Sequence, residues 1–263
     1  MNILSWEHIA EKDSAEDALG GGGKSVSLTV GVFDGVHIGH QALLRETVSR
    51  PDSLPAAVTF RNNPAILLEP EGYGGDIQTH LQKMDTLAGM GVGLIILIDF
   101  SSDFSKLTGR QFFDILMDRL SLSFIVLGSD FVCGYRGDTS AYDIRTLMKP
   151  KGIPVAIIPP ILYGGLPVSS TRIREAVRKG DMSSAKAMLG RNYSLDMRGV
   201  VSGEEEGEAV IARGAILQAV PDKGEYPVII QGGDERVHGS IRVADGWVRY
   251  KPRIRQAMQI YFL

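Results

Sequence analysis

Gly31-Val32-Phe33-Asp34-Gly35-Val36-His37-Ile38-Gly39-His40 stands between two segments of opposite character. Residues 26–33 are rich in β-branched side chains and read as a strand. Residues 41–49 read as a helix. Gly35 and Gly39 carry no side chain, so the backbone at this turn can approach a ligand closely. The helix start adds unpaired N–H groups and the positive end of its dipole. His37 and His40 lie beside that point. They can donate hydrogen bonds to phosphate oxygens. They can also stabilise charge while a nucleophilic phosphate attacks an α-phosphorus and pyrophosphate leaves, with no covalent enzyme intermediate. Their spacing of three also suits one face of a helix, so a zinc pair or a structural histidine pair is the competing reading. The other three histidines, His8, His80 and His238, sit in no ligand-like motif.

Outward from this run, short apolar strands alternate with helical periods. Strands are expected at 56–60, 93–99, 124–127 and 155–158. Helices are expected at 76–90, 109–120, 142–148, 170–179 and 183–189. Strands separated by helices of this length imply parallel βαβ units, hence an α/β fold with a doubly wound, Rossmann-like parallel sheet. Such sheets bind nucleotides at the carboxyl ends of their strands. Residues 1–25 are polar and end in Gly20-Gly21-Gly22-Gly23, which reads as a flexible surface loop. A phosphate-binding P-loop needs a strand before the glycines, and here a strand follows instead. After Gly190 the pattern changes to strand-like pieces at 199–201, 209–212, 226–230, 239–243 and 246–250, separated by glycine and charged turns. Only the last few residues suggest a helix. Two domains are expected, 1–190 and a smaller β-rich, barrel-like one at 191–263.

Composition narrows the function classes. The 263 residues are 44% hydrophobic and 22% charged, with a formal net charge of -3. No bulk positive field exists to hold a polymeric nucleic acid. The single cysteine, Cys133, cannot form an internal disulfide or a Cys/His zinc cluster. The first residues are acidic and lack a basic segment followed by an apolar core, and no apolar run is long enough to span a bilayer. A cytoplasmic protein with no membrane partner is expected.

Three further stretches fall at strand ends. Val168-Ser169-Ser170-Thr171-Arg172-Ile173-Arg174 opens a helix; its hydroxyls can cap backbone N–H groups or bind phosphate, and its arginines offer forked donors. Arg174 lies three residues after Thr171, on the same helical side. Gly128-Ser129-Asp130-Phe131 ends a buried strand, and Asp130 can hold an acceptor or ribose hydroxyl or simply cap the loop. In Thr59-Phe60-Arg61-Asn62-Asn63-Pro64, Phe60 can stack on a flat ring or belong to the core. Each stretch is modest alone. Together they line successive strand ends of one sheet.

With these residues in place, the sequence resembles the bacterial FAD synthetase family, the bifunctional riboflavin kinase/FMN adenylyltransferases. The pattern G-x-F-D-G-x-H-x-G-H is met by Gly31, Phe33, Asp34, Gly35, His37, Gly39 and His40. G-x-D-F-x-F-G is met by Gly128, Asp130, Phe131 and Gly134, with Cys133 in place of the usual Phe. S-S-T-R-I-R is complete from Ser169 to Arg174, and the junction Gly190-Arg191-Asn192-Tyr193 is similar too. The resemblance covers roughly residues 25–200. It implies ATP and FMN as substrates, FAD and pyrophosphate as products, and Mg2+ held mainly by substrate phosphates rather than by protein ligands. It implies that His37, His40 and Arg174 act in catalysis. Gly31, Phe33, Asp34, Gly35, Ser170 and Thr171 would complete the nucleotide site, with Phe60, Asn62, Gly128, Asp130 and Phe131 near the flavin.

Residues 191–263 depart from the family. Its kinase domains carry G-x-P-T-A-N, whereas here Glu204-Glu205-Glu206-Gly207-Glu208 leads into Ala215-Ile216-Leu217. Lys223-Gly224-Glu225-Tyr226 still resembles a family strand. The expectation is a degenerate kinase-like barrel, with the acidic run either repelling ATP or forming a solvated turn. Transfer to another phosphorylated acceptor, or a flavin- or nucleotide-binding protein without catalysis, are the alternatives.

Overall fold

The computed structural model describes residues 1–10, 24–68, 73–100, 104–251, 254 and 257–263. The chain divides into two compact units that do not follow chain order. The first comprises Met1–Phe33, Gly39–Pro70 and Met84–Ile161, the second Asp34–Ile38, Glu71–Lys83 and Leu162–Leu263.

In the first unit, β1 (Asn2–Ser5), β2 (Ser25–Val30), β3 (Ser53–Phe60), β4 (Leu94–Ile98), β5 (Leu122–Gly128) and β6 (Val155–Ile158) form one sheet. Every pairing is parallel and the order is β1-β4-β3-β2-β5-β6. Strands buried on both faces carry near-continuous apolar runs, as Leu94-Ile95-Ile96-Leu97-Ile98 does. On β2, Val26, Leu28 and Val30 join a core with Phe112, Phe113 and Leu116 of the helix Gly109–Arg119. The alternate residue Ser27 faces the helix Ile38–Val48, donating its hydroxyl to Thr47 O at 2.8 Å. The sheet is therefore covered on both faces, and the expected doubly wound architecture is present.

Chain order reverses at β2. From β2 the chain passes to β3 and β4 on one side, then returns to β5 and β6 on the other. The carboxyl end of β2 is thus the topological switch point, where open parallel sheets leave a crevice. Gly31–His40 begins there.

The N-terminal segment corrects the expectation of a surface loop. Asn2–Ser5 adds an edge strand to β4, and the helix Trp6–Ala10 buries Trp6 and Ile9. The segment hides its role because Ile3 on the edge stays half exposed and few apolar residues suffice. Gly20 to Gly23 lie outside the described residues.

The helix expected from Asp76 starts later, at His80. Thr79 and Gln82 cap it reciprocally: Gln82 N donates to Thr79 Oγ1 and Thr79 N to Gln82 Oε1, both at 3.2 Å. Before the cap, Asp76 pairs with Gln218 as an isolated parallel bridge.

In the second unit, β7 (Ser194–Asp196), β8 (Gly203–Glu205), β9 (Glu208–Ala212), β10 (Gly224–Gly232), β11 (Glu235–Val243), β12 (Trp247–Tyr250) and β13 (Gln259–Phe262) form an antiparallel sheet. Its order is β7-β13-β10-β11-β12-β9-β8. It curls as a half-barrel over a core that includes Leu195, Ile211, Val228, Ile241, Val248 and Phe262. The helices Ser170–Arg178 and Met182–Leu189 add Ile173, Val177 and Leu189 to that core.

Two expectations fail in this unit. Residues 199–201 form no strand, and Val201 is 84% exposed. The last residues are a strand, not a helix: Ile260 and Phe262 are buried with a period of two, and β13 lies between β7 and β10.

The acidic run is a two-residue hairpin turn. Glu205 faces Glu208, with Glu206 at φ 52° and Gly207 at φ 75°, which is type I′ geometry. Glu205 pairs with Arg249 at 2.6 Å and Glu208 pairs with Arg242. Glutamate tolerates a left-handed φ poorly and asparagine well. Glu206→Asn is therefore expected to raise stability by roughly 0.5–1 kcal/mol, read as a higher urea midpoint. A lower midpoint would contradict the turn assignment.

Candidate active site

In the first unit, three of the singled-out stretches leave the carboxyl edge of the sheet. Thr29 pairs with Val126 and Val30 with Val58, so the exits from β2, β3 and β5 are neighbours. Gly31 N donates to Val58 O at 3.1 Å, and Thr59 Oγ1 to Val32 O at 2.9 Å, fixing the chain as it leaves β2. Gly31 has little room for a side chain, since a Cβ there would meet the Phe33 ring at 3.2 Å. Phe33 is fully buried and meets His40 edge to face, with ring centroids 5.2 Å apart.

Beyond β5, Asp130 is exposed and Phe131 half-buried against the core. Gly134 must be glycine. Its φ is 83°, and a Cβ would sit 2.1 Å from Gly109 N, at the start of a helix. Cys133 is half-buried, and burial pushes its thiol up to about 12, away from nucleophile chemistry. Phe60 is half-buried among Phe100 and Phe104, edge to face, and Asn62 is exposed.

In the second unit, the centre is the Asp34 carboxyl, 5% exposed. Its Oδ1 accepts from Ile77 N at 2.9 Å and Gln78 N at 3.4 Å. Its Oδ2 accepts from Arg174 Nη2, and Arg174 Nε donates to Gly75 O at 2.8 Å. Ser170 Oγ donates to Asp34 O at 2.9 Å. Ser170 is thus not the helix cap. That role falls to Ser169, whose side chain accepts from Arg172 N. Thr171 is exposed on the first turn. Arg172 binds the carbonyls of Tyr163, Leu166 and Pro167, securing the hairpin before the helix.

Burial raises the Asp34 carboxyl to about 6. Arg174 and the two N–H donors oppose that shift, while Asp76 adds to it. Lys83, 7% exposed, is lowered by burial, with Asp34 and Asp76 working against that. Tyr73 donates to Asp76 and stacks its ring 5.2 Å from the Arg174 guanidinium. His37 is also buried in this unit, at 6%.

Within the Gly31–His40 run, Gly35 has φ 79° and Val36 φ 38°. A left-handed valine is strained, and such strain persists only where surroundings enforce it. Arg191 supplies the enforcement, donating to Gly35 O at 2.6 Å and Val36 O at 3.2 Å. Burial lowers Arg191 to about 10, still cationic at neutral pH. Sequence reasoning saw Arg191 only as part of a junction and passed over Lys83, Tyr73 and Asp76. No local spacing marks them, because they meet Asp34 through the fold.

A family model described as FAD synthetase matches residues 23–172. The chain belongs to the FAD synthetase family. It is accordingly an FMN adenylyltransferase, a nucleotidyltransferase that forms FAD. It is 33% identical over 175 residues to a FAD synthetase of Listeria monocytogenes, covering 65% of this chain and 71% of that one. It is 29% identical over 245 residues to a bifunctional riboflavin kinase/FMN adenylyltransferase of Escherichia coli K12, covering 90% and 77%. A crystal structure described as a macrolide-efflux protein from Streptococcus pneumoniae has the same fold, with a TM-score of 0.81 at 24% identity over 100% of this chain and 90% of that one. Among the described residues, no helix is long and apolar enough to cross a membrane.

The Asp34–Arg174 ion pair is itself pH-dependent. Above about 6 the carboxyl is charged and holds Arg174; below it the proton removes the ion pair. FAD formation is expected to fall as the pH drops through about 6, and Asp34→Asn to lose that acid limb along with most activity. A limb unchanged in Asp34→Asn would assign it elsewhere.

Proposed function

We propose that the chain makes FAD at a single site, built on Gly31–His40 and the helix beginning at Ser170, and that it does not phosphorylate riboflavin. The FMN phosphate oxygen attacks the α-phosphorus of ATP. One P–O bond forms to AMP, the bond to the β-phosphate oxygen breaks, and pyrophosphate leaves. His37 and His40 donate to phosphate oxygens and stabilise the charge that builds in transfer. Arg174 holds the leaving pyrophosphate with Ser170 and Thr171. Its Nε and one Nη2 hydrogen are committed to Gly75 O and Asp34, which leaves the Nη1 hydrogens and the second Nη2 hydrogen to offer to phosphate. Gly31, Phe33, Asp34 and Gly35 shape the nucleotide end. Phe60, Asn62, Gly128, Asp130 and Phe131 serve the flavin end.

Magnesium chemistry would neutralise phosphate charge. Both Asp34 oxygens already accept protein donors, so the ion would be held by phosphates and water rather than by this carboxylate. We assign residues 1–190 to adenylyl transfer and 191–263 to a kinase-like region that has lost its activity. The absent Pro-Thr-Ala-Asn segment supports this, as does the acidic hairpin between β8 and β9, whose carboxylates at Glu205 and Glu208 are paired with arginines. A single, half-buried thiol fits a reducing cytoplasm.

What supports the reading is that Gly31–His40, Ser170 and Thr171 fall within the family-matched segment, with Arg174 two residues beyond it. His37→Ala and His40→Ala are each expected to lower kcat for FAD formation by roughly 10²–10³ with the fold retained, as followed by chromatography and thermal melting. Wild-type-like rates in both variants would remove the histidines from the mechanism. Incubation of the full chain with riboflavin and ATP-Mg is expected to give no FMN, and clear FMN accumulation would overturn the kinase assignment.

A further inference from the structure

The segment 75–78 has two working edges. One edge serves the transfer residues: Gly75 O accepts from Arg174, and the N–H groups of Ile77 and Gln78 donate to Asp34. The other edge is held by residues 217–219. Asp76 N donates to Leu217 O at 3.1 Å, Ala219 N donates to Asp76 O at 2.8 Å, and Gln218 Nε2 donates to Ile77 O at 3.0 Å. In each planar trans peptide the C=O and N–H point opposite ways, so the units joining residues 75–78 reach both edges at once.

Gln218 is 3% exposed, and both the oxygen and the nitrogen of its amide are hydrogen-bonded. Oε1 accepts from Asp196 N at 2.6 Å. Nε2 also reaches Ser194 O at 2.9 Å and Gln82 Oε1 at 3.0 Å. One side chain therefore joins β7, the cap of the helix His80–Gly89 and the 75–78 segment. The approach is tight enough to exclude a side chain at Gly75. Its φ is 91°, and a Cβ there would lie 2.8 Å from Ala219 N and from the Gln218 carbonyl carbon. The 217–219 strip is itself anchored, since buried Tyr193 donates its hydroxyl to Ala219 O at 2.5 Å.

We propose that Gln218 is a positioning residue for adenylyl transfer: it clamps segment 75–78 so that this segment orients Asp34 and Arg174, making the 191–263 region a structural part of the transfer site. The proposal rests on Asp34 and Arg174 acting in that reaction. It gives a region without its kinase motif a present task.

Two full-chain variants test it. Gln218→Leu strips Asp196 N, Ile77 O and Ser194 O of a partner. Gln218→Glu keeps the acceptor for Asp196 N and loses the donors. A loosened clamp withdraws the Ile77 and Gln78 N–H groups from Asp34, while Arg174, Asp76, Tyr73, Lys83 and Tyr193 still surround it. In folded Gln218→Glu, kcat for FAD formation is expected to fall at least about tenfold with KM for FMN changed by less than about threefold. The acid limb should move up by about half a pH unit or more. A variant with a lower melting temperature but unchanged kcat and acid limb would reduce Gln218 to a fold-stabilising residue and overturn the proposal.

Hydrogen exchange on the wild-type chain adds a test that needs no variant. The Ile77 and Gln78 amides are expected to exchange within roughly tenfold of the Asp196 and Ala219 amides, as one opening unit. Exchange roughly a hundredfold faster would show that the clamp does not hold them. A wild-type chain that forms no FAD would count against the transfer assignment, leaving the exchange result to judge the clamp alone.

Discussion

Burying the Asp34 carboxylate organises the residues around it in the second unit, and it is an unfavourable thing for a protein to do. A carboxyl ordinarily near 3.8 is pushed up to about 6, so holding it ionised at neutral pH costs about 3 kcal/mol relative to water. The sign follows from linkage. The folded chain holds this proton more tightly than the unfolded chain, so the group's contribution to stability weakens as the pH rises from about 4 through about 6 and is level above that. What the charge gains is direction. It fixes the Arg174 guanidinium, which also spans to Gly75 O, and it collects two backbone N–H groups. Removing either partner of such a pair leaves a buried charge alone, at roughly 3–5 kcal/mol. The helix opening with Ser170, the 75–78 segment and the strained turn at 34–36 are therefore set by one another.

The first unit solves a simpler problem. A parallel sheet covered on both faces needs apolar strands and helices, and its chain reversal at β2 leaves an open edge without any special residue. Gly31, Phe33 and His40 are placed by that edge. Their constraint is steric: a glycine under an aromatic ring, and an aromatic ring against an imidazole. Local chemistry is enough here, which is why the sequence pattern is compact in this unit.

That difference explains what could be read from sequence. The strand–turn–helix run, the order of βα elements and the helix opening at Ser170 are local, and period and turn chemistry expose them. Asn2–Ser5 was missed because an edge strand needs apolar residues on one side only. The terminal strand Gln259–Phe262 was missed because four residues carry too short a period to separate strand from helix. The start at His80 was missed because Thr79 and Gln82 cap quietly inside a longer amphipathic pattern. Arg191 shows in the sequence only as part of a junction, and Gln218 not at all. Each acts through backbone carbonyls and amides far away in the chain, and such partners have no side-chain identity for a spacing rule to detect.

Residues 191–263 keep a defined fold under constraints of the same kind. The largely exposed Glu205–Glu208 hairpin is set by local turn geometry and by ion pairs to Arg249 and Arg242. The 217–219 strip answers to a different demand. Its backbone must meet Gly75 and Asp76 in register, and Gln218 must match four partners at once in a buried site. A buried amide that is fully satisfied tolerates few replacements, since every lost partner leaves a group desolvated. The exposed hairpin carries no such demand, and there Glu206 sits in a conformation that suits it poorly.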